Sequence, residues 1–380
     1  MAITREESFY LRGLNGIRAI AVIAVLFNHI NQALLHFNIY NFSLFGFRNH
    51  KPNGWTLGEQ GVTMFFVLSG FLITYLLLLE IAKKSKLNVK AFYVRRILRI
   101  WPLYFFFLFI SIAILYFSQG FIPSGKSLFF YVFLMANIPF IFKFLIPVYA
   151  HLWSIAVEEQ FYLFWPLFFK FKSKLKNILI IFIAGQILLR FSIWFVFPHS
   201  TLSSFVTVNR FDCMMFGGLL AVLLHQDHGS MKIITSKYTQ IFSWCIILVH
   251  FFNREVFNAI ISMELITLAT GFIICGQIKS KHKIINLENK VCNYLGKYSY
   301  GIYVFHPLII YLFYHYNILS FINNEGLYIA FIFIGIIVST LIVAYLSYNY
   351  FEVRFLRLKS KYSVVHSTNI SKEIKPVLIS

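Results

Sequence analysis

Ten apolar runs, each near the length needed to cross a bilayer, recur along this 380-residue chain: 17–35, 61–79, 100–117, 152–169, 177–197, 206–225, 239–252, 257–278, 298–316 and 327–351. A hydrocarbon core about 30 Å thick takes about 20 predominantly apolar residues at 1.5 Å per residue. Inside it, every backbone N–H and C=O must find its partner within the protein, so runs of this length can only be helices. The expected fold is therefore all-α, a polytopic transmembrane bundle of about ten spans. Composition agrees: 59% of residues are hydrophobic and only 13% charged, against about 25% charged in soluble domains, and the mean hydropathy is +0.72. The seventh run is short. An eleventh, near 128–143, is also short and carries Asn137 and Pro139.

Loop charge decides the topology. The net charge of +20 invites a nucleic-acid reading, but the placement of the basic residues argues against one. With ten spans and both termini cytoplasmic, 27 of the 34 lysines and arginines fall in inner segments; Arg48, Lys51, Lys126, Lys143 and Arg254 fall outside, and Arg190 and Arg210 lie within spans. Positive charge marks the cytoplasmic side. If 128–143 also crossed, the Lys170–Lys176 cluster and most later clusters would move outside, so that segment reads as re-entrant or surface-lying.

Residues 1–358 form one transmembrane unit, and 359–380 read as a cytoplasmic, mobile tail. The first apolar run is followed by no small-residue cleavage site and reads as a retained helix. Cys213, Cys245, Cys275 and Cys292 are scattered without metal-ligand spacing, so neither a disulfide framework nor a metal site is expected. No internal repeat of the transporter kind is visible.

Chemistry must then come from polar residues in the bundle. Arg18 and His29 stand eleven residues apart in the first span, about three helical turns and roughly 16 Å, on one face. An ionisable group at bilayer depth costs about 2.5–3.5 kcal/mol on insertion scales and ordinarily faces a cavity or a partner; the plain alternative is that Arg18 snorkels and His29 bonds a neighbouring helix. Arg96 and Arg99 lie one turn apart at the mouth of a span, before Trp101-Pro102. Guanidinium forks suit phosphate, though positive-inside anchoring also accounts for basic residues there. In His151-Leu152-Trp153-Ser154 followed by Glu158-Glu159-Gln160, the adjacent carboxylates point about 100° apart, so at most one faces a given cavity. They could equally be packing partners for Arg190 or Arg210. Ser69-Gly70 reads as a close-packing pair or as ligand-lining, and His306, one residue before Pro307, as a packing or a functional histidine.

Taken together, these stretches resemble the membrane-bound acyltransferase 3 family, the O-acyltransferases of surface polysaccharides, lipopolysaccharide, peptidoglycan and some secondary metabolites. The likeness rests on Leu14-Asn15-Gly16-Ile17-Arg18-Ala19 through His29, Phe65-Phe66-Val67-Leu68-Ser69-Gly70-Phe71-Leu72-Ile73 and Arg96-x-x-Arg99. It continues through Leu152-Trp153-Ser154 with Glu158-Glu159-Gln160-Phe161-Tyr162, Arg210-Phe211-Asp212, Tyr300-Gly301-Ile302-Tyr303 with His306, and Phe351-Glu352-Val353-Arg354. It runs over about residues 10–358. Asn15 stands where an aspartate is usual and Thr63 where an acidic residue is common, which puts acceptor recognition in question. Many relatives carry an additional C-terminal hydrolase-like domain; this sequence ends before one, so its step would fall to the bundle, to a partner, or to neither.

The resemblance implies a multi-pass protein of the bacterial inner membrane, in contact with lipid. It would move an acyl group, acetyl by default, from acyl-coenzyme A on the cytoplasmic side to a hydroxyl of a cell-surface or exported glycan or glycolipid. Acyl-coenzyme A would be a co-substrate, with no permanently bound cofactor or metal and no nucleic-acid partner. Arg18, Arg96 and Arg99 would hold the donor; His29, Glu158 and Glu159 would be catalytic; Ser69, Trp153, Ser154, Tyr303 and His306 would line the acceptor pocket. The competing class is a transporter or flippase of a lipid-linked or small polar substrate, using the intramembrane His, Glu and Arg as a relay.

Overall fold

The computed structural model describes residues 10–44, 46–48, 51–52, 55–252, 258–279, 283–319 and 321–364. Among these, fifteen α-helices make up the fold, with one minimal antiparallel pair, Phe47–Arg48 against Lys51–Pro52, in the first long loop. Helix starts follow from side-chain caps. Asn88 accepts the amide of Ala91 (2.9 Å) to open α3 (Val89–Gln119), and Asn289 accepts that of Cys292 (2.9 Å) to open α13 (Lys290–His315). Asn324 does the same for Leu327 (3.0 Å) at α14 (Glu325–Leu346). Each cap satisfies one of the four amides that a helix leaves free at its start. α3 ends at Gly120, whose φ of +67° is the left-handed conformation glycine adopts without steric cost.

The described residues of every expected span fall mainly on helix, with a break at Asn209–Arg210 in 206–225 and residue 257 outside the described residues, although the helices differ in how far they qualify as membrane spans. Seven helical runs among the described residues are long and apolar enough to cross a membrane. They comprise α1 (Leu14–Ala33), α2 (Trp55–Lys84), α3, the continuous stretch through α6 (Trp153–Phe168) and α7 (Leu175–Val196), α8 (Thr201–Val208) with α9 (Phe211–His225), α12 (Ala259–Lys279), and α14 continuing into α15 (Val353–Ser360). The count falls below ten for three reasons. Two expected spans merge in the run from Ala150 to Val196; α11 (Lys237–Phe251) has only 15 residues; and the first half of α13 is polar, with Lys290, Asn293, Lys297 and Ser299.

Segment 128–143 is two short helices, α4 (Gly125–Val132) and α5 (Asn137–Phe142), each too short to cross. The break does not lie where Asn137 and Pro139 suggest. Both sit in the first turn of α5, where proline's missing N–H costs nothing, and the chain turns instead at Leu134, with φ +57°. The last expected span passes from α14 into a π-helical turn, Ser347–Glu352, and then α15. Of the expected tail, 359 and 360 end α15, and 365–380 lie outside the described residues.

Helices in a bilayer approach through small residues, because apolar surface alone gives no preference for protein over lipid. Gly70 of α2 and Gly217 of α9 face each other's backbones: a Cβ on Gly70 would lie 1.9 Å from the Met214 carbonyl oxygen, and one on Gly217 2.0 Å from that of Val67. α2 thus packs directly on α9 while also touching α1, and α1 lies against α13, where a Cβ on Gly296 would meet the Asn15 carbonyl at 2.1 Å. Outward faces stay apolar, as a lipid-facing surface requires: Phe195 on α7 and Ile334 on α14 are 81% and 57% exposed.

Candidate active site

Helical periodicity builds a cavity at the centre of this packing. Residues spaced by three or four share a helix face, and four such stripes converge: Phe65, Ser69 and Leu72 from α2; Arg96, Arg99 and Ile100 from α3; Ser154, Glu158 and Tyr162 from α6; and Ser299, Tyr300 and Tyr303 from α13. Arg18 of α1 completes the lining. The cavity encloses about 840 Å³ of atom-free space, mouth included.

Its charge is lopsided. Three guanidiniums, those of Arg18, Arg96 and Arg99, share the cavity with one carboxylate, Glu158. Arg18 donates to the Asn15 side chain (3.0 Å), Arg96 lies over the rings of Phe92 (5.9 Å) and Tyr162 (5.5 Å), and Tyr162 donates its hydroxyl to Glu158. Among the described residues, none of the three arginines has a carboxylate within 4 Å, and the buried Nε of Arg96 has no acceptor. The neighbouring Arg95 differs: it is salt-bridged to Glu80 at 2.7 Å and donates to the Tyr362 carbonyl at 2.8 Å.

A second cavity lies beyond the far wall of the first. It is lined by His29, Gln32, His36, His151, Pro307 and Tyr314. His29 Nδ1 lies 2.6 Å from His306 Nε2, with the two rings within 8° of parallel, and the His151 ring centre is 5.4 Å from that of His306. Ser154 and Tyr303 form the partition. Their hydroxyls are 2.6 Å apart, and Tyr303 also donates to the His151 carbonyl at 2.8 Å, so a single layer of polar side chains separates the arginine cavity from the histidines. Arg18 lines the first cavity and His29, three helical turns further along α1, the second.

The other expected site residues divide. Ser69, Ser154 and Tyr303 line the arginine cavity, and Glu158 faces it, whereas Glu159 turns away and accepts from the Trp101 indole N–H at 2.7 Å. One helical step separates the two carboxylates by about 100°, so only one can reach. Trp153 is not at the cavity either. It packs under the Arg210 guanidinium (5.5 Å) and against Phe66 and Phe140. His306 is fully buried and lines neither cavity, contacting His29 instead.

The alternative pairing of the glutamates with Arg190 or Arg210 does not occur. Arg190 holds Asp212 with both terminal nitrogens (2.9 and 2.5 Å) and Glu264 at 2.6 Å, while Arg210 bonds Thr63 at 3.1 Å and faces Glu59 at 3.8 Å. Thr63 thus partners Arg210 where an acidic residue is common. The sequence reading left out His151, Tyr162, Ser299 and Tyr300 as site residues. Position relative to recognised residues was the available signal, since Tyr162 follows Glu158 by four and His151 precedes Ser154 by three. Among the described residues, no group of three His, Cys, Asp or Glu side chains could hold a metal ion.

Fold and cavities together define a polytopic helical membrane protein with an anion-suited internal site set against a histidine cluster. The family can be stated as well: the acyltransferase 3 model, described as an acyltransferase domain, matches residues 11–348, and the chain belongs to this family. It is 28% identical to O-acetyltransferase OatA of Staphylococcus aureus (strain NCTC 8325 / PS 47), over 90% of this chain and 57% of that protein. Two further S. aureus proteins are similar: putative O-acetyltransferase SAR0937 of strain MRSA252 (29% identical, 97% of this chain, 61% of that protein) and putative O-acetyltransferase SACOL0978 of strain COL (30%, 91% and 57%). The chain therefore spans about three-fifths of the length of these relatives. No solved structure matches.

Proposed function

We propose that this chain is an integral membrane O-acyltransferase, an O-acetyltransferase by default. It takes the acyl group from acyl-coenzyme A on the cytoplasmic side and gives it to a hydroxyl of a cell-surface or exported glycan or glycolipid. The observation that carries this reading is the pair of cavities: three arginines without carboxylate partners line one, His29 and His151 line the other, and the hydrogen-bonded Ser154 and Tyr303 lie between. Loop charge supports ten spans, with both termini and the arginine cavity on the cytoplasmic side of a bacterial inner membrane.

In this reading the phosphates of the donor meet Arg96, Arg99 and Arg18, whose forks suit them, and the pantetheine arm carries the thioester towards the Ser154–Tyr303 partition. The acceptor enters the histidine cavity. His29 takes the proton of its hydroxyl as the oxygen attacks the thioester carbonyl; the C–S bond breaks, and the thiolate of coenzyme A leaves and is reprotonated from the imidazolium. Ser154 and Tyr303 line the partition that the thioester reaches. Glu158 orients the groups in the arginine cavity, and Glu159 has no part in contact with substrate.

Thermal unfolding in nanodiscs with free coenzyme A tests the donor site. At 100 times its dissociation constant, a ligand bound only to the folded protein adds about 2.7 kcal/mol. Stabilisation by coenzyme A that disappears in Arg96→Ala/Arg99→Ala is the expected result. No stabilisation of the wild-type protein at saturating coenzyme A would overturn the reading and favour transport.

A further inference from the structure

The hydrogen bonds of the histidine cluster fix where its protons sit. His306 is 0% exposed and its Nδ1 lies 3.1 Å from the Ile302 carbonyl oxygen. A carbonyl only accepts, so this contact is a hydrogen bond only if Nδ1 of His306 carries the hydrogen. A doubly protonated ring there would be a fully buried charge with no carboxylate beside it, which is costly. The ring is neutral, its single hydrogen is on Nδ1, and its Nε2 is a bare acceptor. That bare nitrogen is 2.6 Å from Nδ1 of His29, so His29 must be the donor. Its own hydrogen is then on Nδ1, and Nε2 is left with a free lone pair.

The same logic applies to the third ring. His151 Nε2 is 3.2 Å from the Val304 carbonyl and so carries that ring's hydrogen. His151 thus bonds backbone on α13 without competing for either nitrogen of the His29–His306 pair. The chain of donors runs one way, from His29 to His306 to the Ile302 carbonyl. Pro307, the next residue, has no N–H for the Tyr303 carbonyl four residues earlier.

We propose that His306 is a positioning residue that holds His29 as the Nδ1–H tautomer and so presents Nε2 as the proton acceptor. Free histidine favours the opposite tautomer, with hydrogen on Nε2, and in that form the nitrogen needed as a base would be a donor. The bond made by one ring nitrogen dictates the role of the other. The catalytic part of this inference rests on the proposed function; the tautomer itself does not.

Solid-state NMR of the protein in lipid bilayers, with histidine ring nitrogens labelled and the His29 signals assigned by their loss in His29→Gln, reads the tautomer directly. The wild-type protein is expected to show His29 protonated at Nδ1 and bare at Nε2. His306→Leu is expected to move His29 mainly to the Nε2–H form. It should lower kcat for transfer of labelled acetyl from acetyl-coenzyme A by about tenfold or more, with KM for acetyl-coenzyme A within twofold. His306→Gln offers a carbonyl to His29 and an N–H to Ile302, and should recover kcat relative to the leucine variant. A wild-type His29 protonated at Nε2, or an Nδ1–H tautomer that persists in His306→Leu, would overturn the proposal; should the leucine variant fail to fold, the wild-type measurement still decides. Expected tautomers with full transfer by His29→Gln would instead remove His29 from the chemistry and leave the tautomer assignment standing.

Discussion

Two sets of arginines lie in this bundle, and they differ in what faces them. Arg190 is 1% exposed and held by two carboxylates, Asp212 and Glu264, which tie α7, α9 and α12 together. Arg18, Arg96 and Arg99 line a cavity and have no carboxylate within 4 Å among the described residues. In the sequence both sets are cations in or beside apolar runs. The structure separates them: a closed, paired guanidinium serves the fold, while an open, unpaired one is available to an anion from outside. Arg95 and Arg96 carry the same contrast within two adjacent residues, since one faces Glu80 and the other the cavity.

The largest test of this contrast is stability. Removing one member of a buried ion pair costs about 3–5 kcal/mol because the remaining charge stays buried and unpaired. Arg190→Met, which strands Asp212 and Glu264, is therefore expected to lower the unfolding free energy by about that much, read as a lower melting temperature in nanodiscs. Arg99→Met breaks no ion pair within 4 Å among the described residues and is expected to change stability by about 1 kcal/mol or less while weakening coenzyme A binding. Equal losses in the two variants would erase the distinction.

Smaller in effect, but sharper, is the comparison of adjacent carboxylates. A hydrogen bond to a charged group is worth about 1.5–3 kcal/mol, so Glu158→Gln in the cavity is expected to lower kcat/KM by about ten- to a hundredfold. Glu159→Gln keeps an acceptor for Trp101 and is expected to leave kcat/KM within a few-fold. The reverse order would mean that the cavity described is not the site.

The smallest expected effect lies outside the spans, where the start of α1 is tied to the loop before α13. Burial raises the Glu288 carboxyl pKa, but hydrogen bonds from Tyr10 (2.5 Å), Asn293 (2.8 Å) and the Gly13 amide (2.7 Å) outweigh it, and the net shift is downward. A depressed pKa contributes stability that is full above the ordinary glutamate value of about 4.3 and is lost as pH falls through the lower folded value. The melting temperature of the wild-type protein is expected to drop more steeply below that pH than that of Glu288→Gln. Parallel profiles would remove this tie from the account.

Much of the fold is legible from the sequence because hydropathy and length act locally: the expected spans fall mainly on helix, and 128–143 does not form one long enough to cross. What local pattern misses is what depends on a partner. The split of 128–143 at Leu134 follows from its backbone turn and not from Asn137 or Pro139. In the site, the 100° step between Glu158 and Glu159 shows that only one can face a cavity, but the choice of Glu158 required α3 to bring Trp101 to Glu159. In Ser69-Gly70, Gly70 packs against the Met214 backbone and Ser69 lines the cavity. Trp153 looked like a pocket residue from its motif and is the ring beneath Arg210 instead. The His29–His306 contact joins residues 277 positions apart, and no spacing rule connects them.

The central claim is that His29, on the far side of the Ser154–Tyr303 layer from the arginines, performs the transfer. The direct measurement is transfer of labelled acetyl from acetyl-coenzyme A to the endogenous glycan fraction of membranes carrying His29→Ala, alongside coenzyme A stabilisation of the same variant. A lost general base costs about 10²–10⁴-fold, so transfer should fall by that much while the stabilisation by coenzyme A persists. Transfer within a few-fold of the wild-type rate would contradict the account.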